Sequence, residues 1–216
     1  MAKDYFNPTT LFLSEKSRQD MKNITSFTLD NPSYSVKQLF YEDAPVLQKL
    51  YEQCNDFAIL TDGVAFSPTA AREEFDTVPE GKTPADNYIF GLCDSQARRK
   101  PNRHNTLIGM LAAYQEYPDK QTWWLGMMML APKYRNKGLG TDFYRAFERW
   151  LLSQGIQQIS LCAIEANSLA LEFWFKMGFS ITRTIPAKQF GIKNHKVYVF
   201  NRTAIRLTPS LRIAKS

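Results

Sequence analysis

Residues 131–150 read APKYRNKGLGTDFYRAFERW, and within them Arg135, Lys137, Gly138 and Gly140 stand just ahead of a run with helical apolar spacing. A glycine turn that opens a helix leaves the first helical N–H groups without intrahelical acceptors, and the helix dipole adds partial positive charge at the same place. The chemistry open to such a turn is the holding of an anion. Gly138 and Gly140 let the main chain approach phosphate oxygens where a Cβ would collide, and Arg135 and Lys137 add charge at the rim. Two nucleotide readings fail at named residues. A nucleotide P-loop needs GxxxxGK[ST], whereas here the lysine precedes the glycine; a dinucleotide turn needs a third glycine, where the chain has Phe143.

The elements that must position this turn follow from apolar periodicity. Val36, Gln38 and Phe40 share one face of a first strand, and EDAPVLQKLYEQCNDF reads as a helix with Ala44, Leu47, Leu50, Tyr51 and Cys54 at helical spacing. The next stretch, punctuated by Gly63, Pro68, Pro79, Gly81 and Pro84, reads as flexible and polar with a short helix from Thr69 to Asp76. YIFGLCD and TLIGMLAAYQEY read as strands joined by the basic loop SQARRKPNRHN, and PDKQ turns into the strand TWWLGMMMLAP. After the glycine turn, Phe143, Phe147, Trp150 and Leu151 form a core-facing stripe that stops at Gly155. IQQISLCAI is a strand, NSLALEFWFKM a helix ended by Gly178, and FSITRTI and HKVYVFNRTA close the domain. A crossover helix between two strands makes them parallel, so the sum is a mixed sheet with helices on both faces. The organisation expected is an extension at 1–32, one domain at 33–204 and a basic tail at 205–216.

Bulk properties agree with one packed domain: 216 residues, 44% hydrophobic and 13% aromatic. Twenty-seven Lys and Arg against twenty-one Asp and Glu leave +6, which suits a phosphate-bearing ligand, nucleic acid or an anionic surface without choosing among them. Nucleic acid is disfavoured because the basic run ARRKPNR is not interleaved with aromatics. Cys54, Cys93 and Cys162 form no CxxC pair, so a reducing cytoplasm is expected, and no run approaches the ~18 apolar residues of a membrane span. With only His104 and His195 present, no histidine metal site is expected. A monomer and a homodimer both remain open.

Beyond the turn, NSLALEFWFKMGF sets Asn167, Ala170, Trp174, Gly178 and Phe179 at regular intervals. Together the two segments resemble the GNAT superfamily of acetyl-CoA-dependent N-acetyltransferases. Its signature [RQ]xxGx[GA] is met by Arg135, Gly138 and Gly140, and its NxxAxxx[YF]xxxGF is met except that Trp174 fills the aromatic slot. The resemblance implies an α/β (α+β) fold with a mixed central sheet of six to seven strands and a V-shaped splay between the fourth and fifth. It implies acetyl-CoA as co-substrate, its pyrophosphate on the amides of Asn136, Lys137, Gly138, Leu139, Gly140 and Thr141. Arg135 then either shapes the turn or meets phosphate. Pantetheine pairs with the edge Met128, Met129 and Leu130, a backbone N–H of Met129 or Leu130 faces the thioester oxygen, Asn167 lies along the cofactor, and Trp174 either packs on the pantetheine, closes the gap or is simple core.

The implied reaction is direct acetyl transfer to a primary amine of a small molecule or peptide. Trp174 lacks the tyrosine hydroxyl that serves many relatives as acid, so a neighbouring group or water protonates the thiolate, or no acid is needed. The same absence leaves a non-catalytic acyl-CoA-binding module as the alternative. Some relatives carry a glutamate where this chain has Cys162, which is expected to be core rather than a nucleophile. Glu165, just past that strand, is the candidate base. Acceptor choice is expected from Asn55 to Asp86, where Asp56, Asp62, Glu73, Glu74 and Asp76 either attract a cationic amine or are simply solvated.

Overall fold

The computed structural model describes residues 27–95 and 106–204, so ARRKPNR, the tail at 205–216 and most of the 1–32 segment lie outside the described residues. The elements are β1 (Tyr34–Leu39), α1 (Ala44–Gln53), α2 (Asn55–Thr61), α3 (Ala70–Asp76), β2 (Asn87–Asp94), β3 (Thr106–Tyr114), β4 (Thr122–Leu130), α4 (Leu139–Ser153), β5 (Gln158–Ile164), α5 (Ser168–Lys176), β6 (Ser180–Phe190) and β7 (Lys193–Thr203). They build one seven-stranded sheet in the order β1-β2-β3-β4-β5-β7-β6. Only β4 and β5 run parallel, as the α4 crossover between them requires. Among the described residues no helix is long and apolar enough to cross a membrane.

Alternation along the strands feeds two cores. On one face, α4 and α5 cover Leu125, Leu161 and Ala163 with Phe143, Phe147, Trp150 and Trp174; on the other, α1, α2 and α3 cover Met127, Met129 and Met110 with Leu47, Leu50, Cys54 and Ala58. Phe27 and Leu29, within the segment expected to be an extension, are buried, and Phe27 packs 5.0 Å from the Phe90 ring and 6.0 Å from that of Trp150. Packing therefore starts upstream of residue 33.

Four elements differ from the periodicity reading. The first helix breaks at Cys54, whose φ of −103° and ψ of 23° leave the helical region, and a second helix, α2, runs on through a stretch expected to be flexible. Also, β6 and β7 each extend to 11 residues, through Pro186 to a tight turn at Gly191 and Ile192. Proline is tolerated there because β6 is the sheet edge, where a missing N–H costs no ladder bond.

Both helices that flank the β4–β5 gap end in a left-handed glycine with paired return bonds. After α4, Gly155 and Ile156 donate to Leu152 and Leu151; after α5, Gly178 and Phe179 donate to Phe175 and Trp174. The Phe179 ring also meets Trp174 at 5.3 Å, which fixes where α5 stops. A buried carboxylate ties the same region together. Glu148 of α4 accepts from Tyr144 at 3.0 Å, Arg145 at 2.6 Å and Arg202 at 2.5 Å, and Arg202 of β7 also donates to the carbonyl of Met177.

Candidate active site

The sheet opens where β4 and β5 part. They pair from Thr122 with Gln158 to Leu125 with Leu161 and no further, although both strands continue. At the parting point Gly126 is the extra residue of a bulge against β3, since Leu125 faces Ala113 while Met127 faces Ala112. A bulge bends and twists its strand, which swings Met127 to Leu130 away from β5. The result is a cleft of about 690 Å³ that passes through the sheet.

Which backbone groups face that cleft follows from the ladder. Ala131 donates to Ile108 of β3, so in an antiparallel pair the alternate residues Met129 and Met127 also turn their N–H and C=O toward β3. Met128 and Leu130 turn theirs toward the gap. Of the two expected oxyanion donors, Leu130 therefore presents its N–H to the cleft, whereas Met129 does not: its amide belongs to the β3 ladder, and its neighbour Met128 takes the second open place.

The turn after β4 stands at one mouth. Asn136 has φ of 59° and Gly138 φ of 80°, and Gly138 is the N-cap of α4 with no side-chain cap. A Cβ on Gly138 would meet nothing within 4 Å, so glycine is there for the left-handed backbone rather than for packing. The first bond of α4 runs from Asp142 to Gly138, leaving the amides of Leu139, Gly140 and Thr141 without intrahelical acceptors. Met128, Leu130 and Phe173 gather over Gly140.

A family model described as the Acetyltransferase (GNAT) family matches residues 62–179, more than half of the chain. The chain belongs to the GNAT acetyltransferase family. Among curated proteins none matches the sequence. Solved structures do. A GNAT-family acetyltransferase from Bacillus anthracis is 15% identical with a TM-score of 0.60, covering 83% of this chain and 98% of that one. RimL, a ribosomal α-N-protein acetyltransferase in complex with coenzyme A, is 11% identical at 0.64, covering 83% and 98%. NAA60 from Arabidopsis thaliana, in complex with a bisubstrate analogue, is 14% identical at 0.56, covering 79% and 98%. At such identities the likeness is one of fold.

The residues of this GNAT chain fit the acetyl-CoA such a fold takes. Bare amides at the head of α4 meet a diphosphate's need for donors, and the edge at Met128 together with the Leu130 N–H meets the amides of pantetheine, the Leu130 carbonyl being already taken. Arg135 takes the structural one of its two expected roles. Its Nε donates to the carbonyl of Leu130 at 2.8 Å and its other nitrogens grip Asp56 of α2, so it ties the end of β4 to α2. Asn167 caps α5, accepting from Ala170 at 3.1 Å, and lines the cleft as well. Trp174 is buried edge-on against Tyr144, Phe173 and Phe179 while also reaching the cleft wall. Lys137 donates to the carbonyl of Lys133 at 2.8 Å and is not among the residues that line the cleft.

The expected base is displaced. Glu165 is absent from the cleft wall; Lys196 holds its carboxylate at 2.7 Å and Tyr198 at 3.1 Å, which keeps its pKa below the usual carboxylate range. A carboxylate so stabilised in its charged form is a poor proton acceptor. Among the described residues that line the cleft, the titratable side chains are Asp56, Arg135, Cys162 and Lys176. Asp56 is held by Arg135, which lowers its pKa. Cys162 is pushed up to about 12 by burial, and so stays a thiol at neutral pH.

Two expectations follow. Thiolate abundance at neutral pH falls about 3000-fold for a pKa near 12 against a free thiol of pKa ~8.5, and higher basicity returns only about 25- to 55-fold in nucleophilicity, so iodoacetamide should alkylate Cys162 on the order of 100-fold more slowly than a free thiol. Mass spectrometry of the labelled peptide reads that rate. Second, Asp56→Asn should lower unfolding free energy by no more than about 1 kcal/mol, because the Asp56 side chain is 57% exposed. The folded pKa of Asp56 is lowered, so the wild-type advantage is complete above about pH 4 and fades as pH falls through that lowered value. Urea unfolding of both proteins at pH 7 and pH 3 measures the difference.

The far wall of the cleft was missed by periodicity. Phe57, Leu60 and Thr61 of α2, Cys162 and Ile164 of β5, and Phe190 of β6 line it. The turn of the β6–β7 hairpin is strapped onto α2: Ile192 donates to Asp62 at 2.9 Å, Lys193 to Ile59 at 2.7 Å, and a ring nitrogen of His195 lies 2.8 Å from the carbonyl of Thr61. Gly191, at φ of 51°, makes this approach possible, since a Cβ there would lie 2.4 Å from the Asp62 carbonyl oxygen. An Asn or Gly before an apolar strand is too common a signal to have marked the strap in advance.

Proposed function

We propose that the chain transfers the acetyl group of acetyl-CoA directly to a primary amine of a small molecule or peptide. One observation carries the reading: a slot through the sheet has unengaged helix amides at one mouth and, along its wall, the open edge of Met128 and the N–H of Leu130. The amine nitrogen attacks the thioester carbonyl carbon as the oxygen's charge is met by the Leu130 N–H; the C–S bond breaks and sulfur keeps the electron pair. The amine proton passes to water, because among the described lining residues the one carboxylate, Asp56, is held by Arg135 and Cys162 stays a thiol. A thiol of pKa ~8.5 is a fair leaving group without an acid, so Trp174 in the tyrosine position does not bar the reaction. RimL, described as an α-N-protein acetyltransferase, adds support for a peptide acceptor.

Steady-state thiol release from acetyl-CoA with polyamines, aminoglycosides and peptide N-termini tests the proposal. The buried Trp174 favours one rival, a module that holds acyl-CoA without turning it over. That rival gains melting temperature with CoA and releases no thiol with any amine.

A further inference from the structure

The acceptor wall has a chemistry of its own, and it bears on which amines fit. Odd and even residues of β5 point to opposite faces: Leu161 and Ala163 join the core under α4 and α5, while Cys162 and Ile164 pack with Phe190 and Val197 on the face that carries α2. The helix α4 that the turn opens and the α2 wall therefore lie on opposite faces of the sheet, with Arg135 of the turn reaching past the strand end to Asp56 of α2. On the α2 side the cleft is walled by Phe57, Leu60, Ile164 and Phe190, roofed by the strapped hairpin. Its one carboxylate among the described lining residues, Asp56, is already held in a two-pronged grip by Arg135. A polycationic acceptor would find no free acid there, whereas an apolar side chain beside the amine would find a matching wall.

Proton chemistry narrows the amine further. With no base in the described lining, the acceptor must supply its own neutral fraction. At pH 7.4 an α-amine of pKa near 8 is about one-fifth neutral, whereas a lysine-type amine is neutral only about once in a thousand. Resting on the acetyl-transfer reading above, we infer that the acceptor is the α-amine of an apolar residue, such as a peptide N-terminus, with its side chain against Phe57, Leu60, Ile164 and Phe190.

The test is a binding measurement that needs no turnover. Peptides beginning with Leu, Asp or Lys are joined at their α-nitrogen through an acetyl bridge to the sulfur of CoA, a fourth probe is joined at a lysine side-chain nitrogen, and calorimetry compares each with CoA alone. The Leu conjugate should bind at least about tenfold more tightly than CoA and the other three within about threefold of it, roughly what one well-buried apolar side chain contributes. In Leu60→Ser and Phe57→Ala that advantage should shrink while the CoA affinity, which also reports intact folding, stays put. Equal or tighter binding of a polar or side-chain conjugate, or an undiminished Leu advantage in both variants, overturns the inference and leaves the acetyl-CoA site standing. Failure of CoA itself to bind overturns both.

Discussion

Gly138→Asp should raise the Michaelis constant for acetyl-CoA by about two orders of magnitude, with little loss of folded stability. The backbone at Gly138 is left-handed and the space around its missing Cβ is open, so an aspartate, which tolerates that conformation better than most residues, fits without a clash. What it brings is a carboxylate over the amides of Leu139, Gly140 and Thr141. There it takes the donors for itself, as a helix cap does, and repels the diphosphate they would otherwise hold. Loss of about 3 kcal/mol in cofactor binding corresponds to a factor of a hundred or more. Gly138→Asn is the control, being equal in shape and without charge. Initial rates against acetyl-CoA concentration read both, and an Asp variant with the wild-type constant would remove this turn as the phosphate seat.

The second large effect concerns stability. Glu148→Ala should cost about 3–5 kcal/mol, because it leaves the guanidinium of Arg202, only 19% exposed, without its carboxylate. For a chain of this size that loss corresponds to a fall in melting temperature of roughly 6–20 °C. Replacing both partners, Glu148→Leu with Arg202→Met, should recover most of it, since a buried ion pair exchanged for apolar residues of similar volume is often neutral. Calorimetric melting of the single and double variants distinguishes a true pair from independent packing losses. Function should follow stability only in part, through Arg202's hold on Met177, where α5 ends beside Trp174.

How far the sequence could be read depended on where the signal lay. The turn from Asn136 to Thr141 and the helix after it were legible because glycine spacing and a four-residue apolar stripe are local properties of the chain. Asn167 and Trp174 were found by motif, although the cap made by one and the aromatic nest of the other required the fold. Glu165 misled because closeness to a strand end says nothing about lateral neighbours; β7 brings Lys196 and Tyr198 to it, and those two residues settle its charge. Met129 misled for a related reason, since which amides of β4 face the gap depends on the register against β3. The far wall was legible only in part: Phe57 to Thr61 fall in the stretch from Asn55 to Asp86 from which acceptor choice was expected, but α2 is only 7 residues long and Pro186 interrupts the pattern of β6, so neither the helix nor the contribution of Phe190 could be read. Short helices and proline-bearing edge strands carry too little periodicity to be seen alone.

A slot lined from both faces of a sheet also bears on the order of events. On the acetyl-transfer reading proposed above, donor and acceptor would enter from different faces, so neither would have to wait for the other's product to clear and both would be bound when acetyl changes hands. Double-reciprocal plots at several fixed amine concentrations should thus converge at a point, and parallel lines, the mark of an acetylated enzyme shuttling between two half-reactions, should not appear.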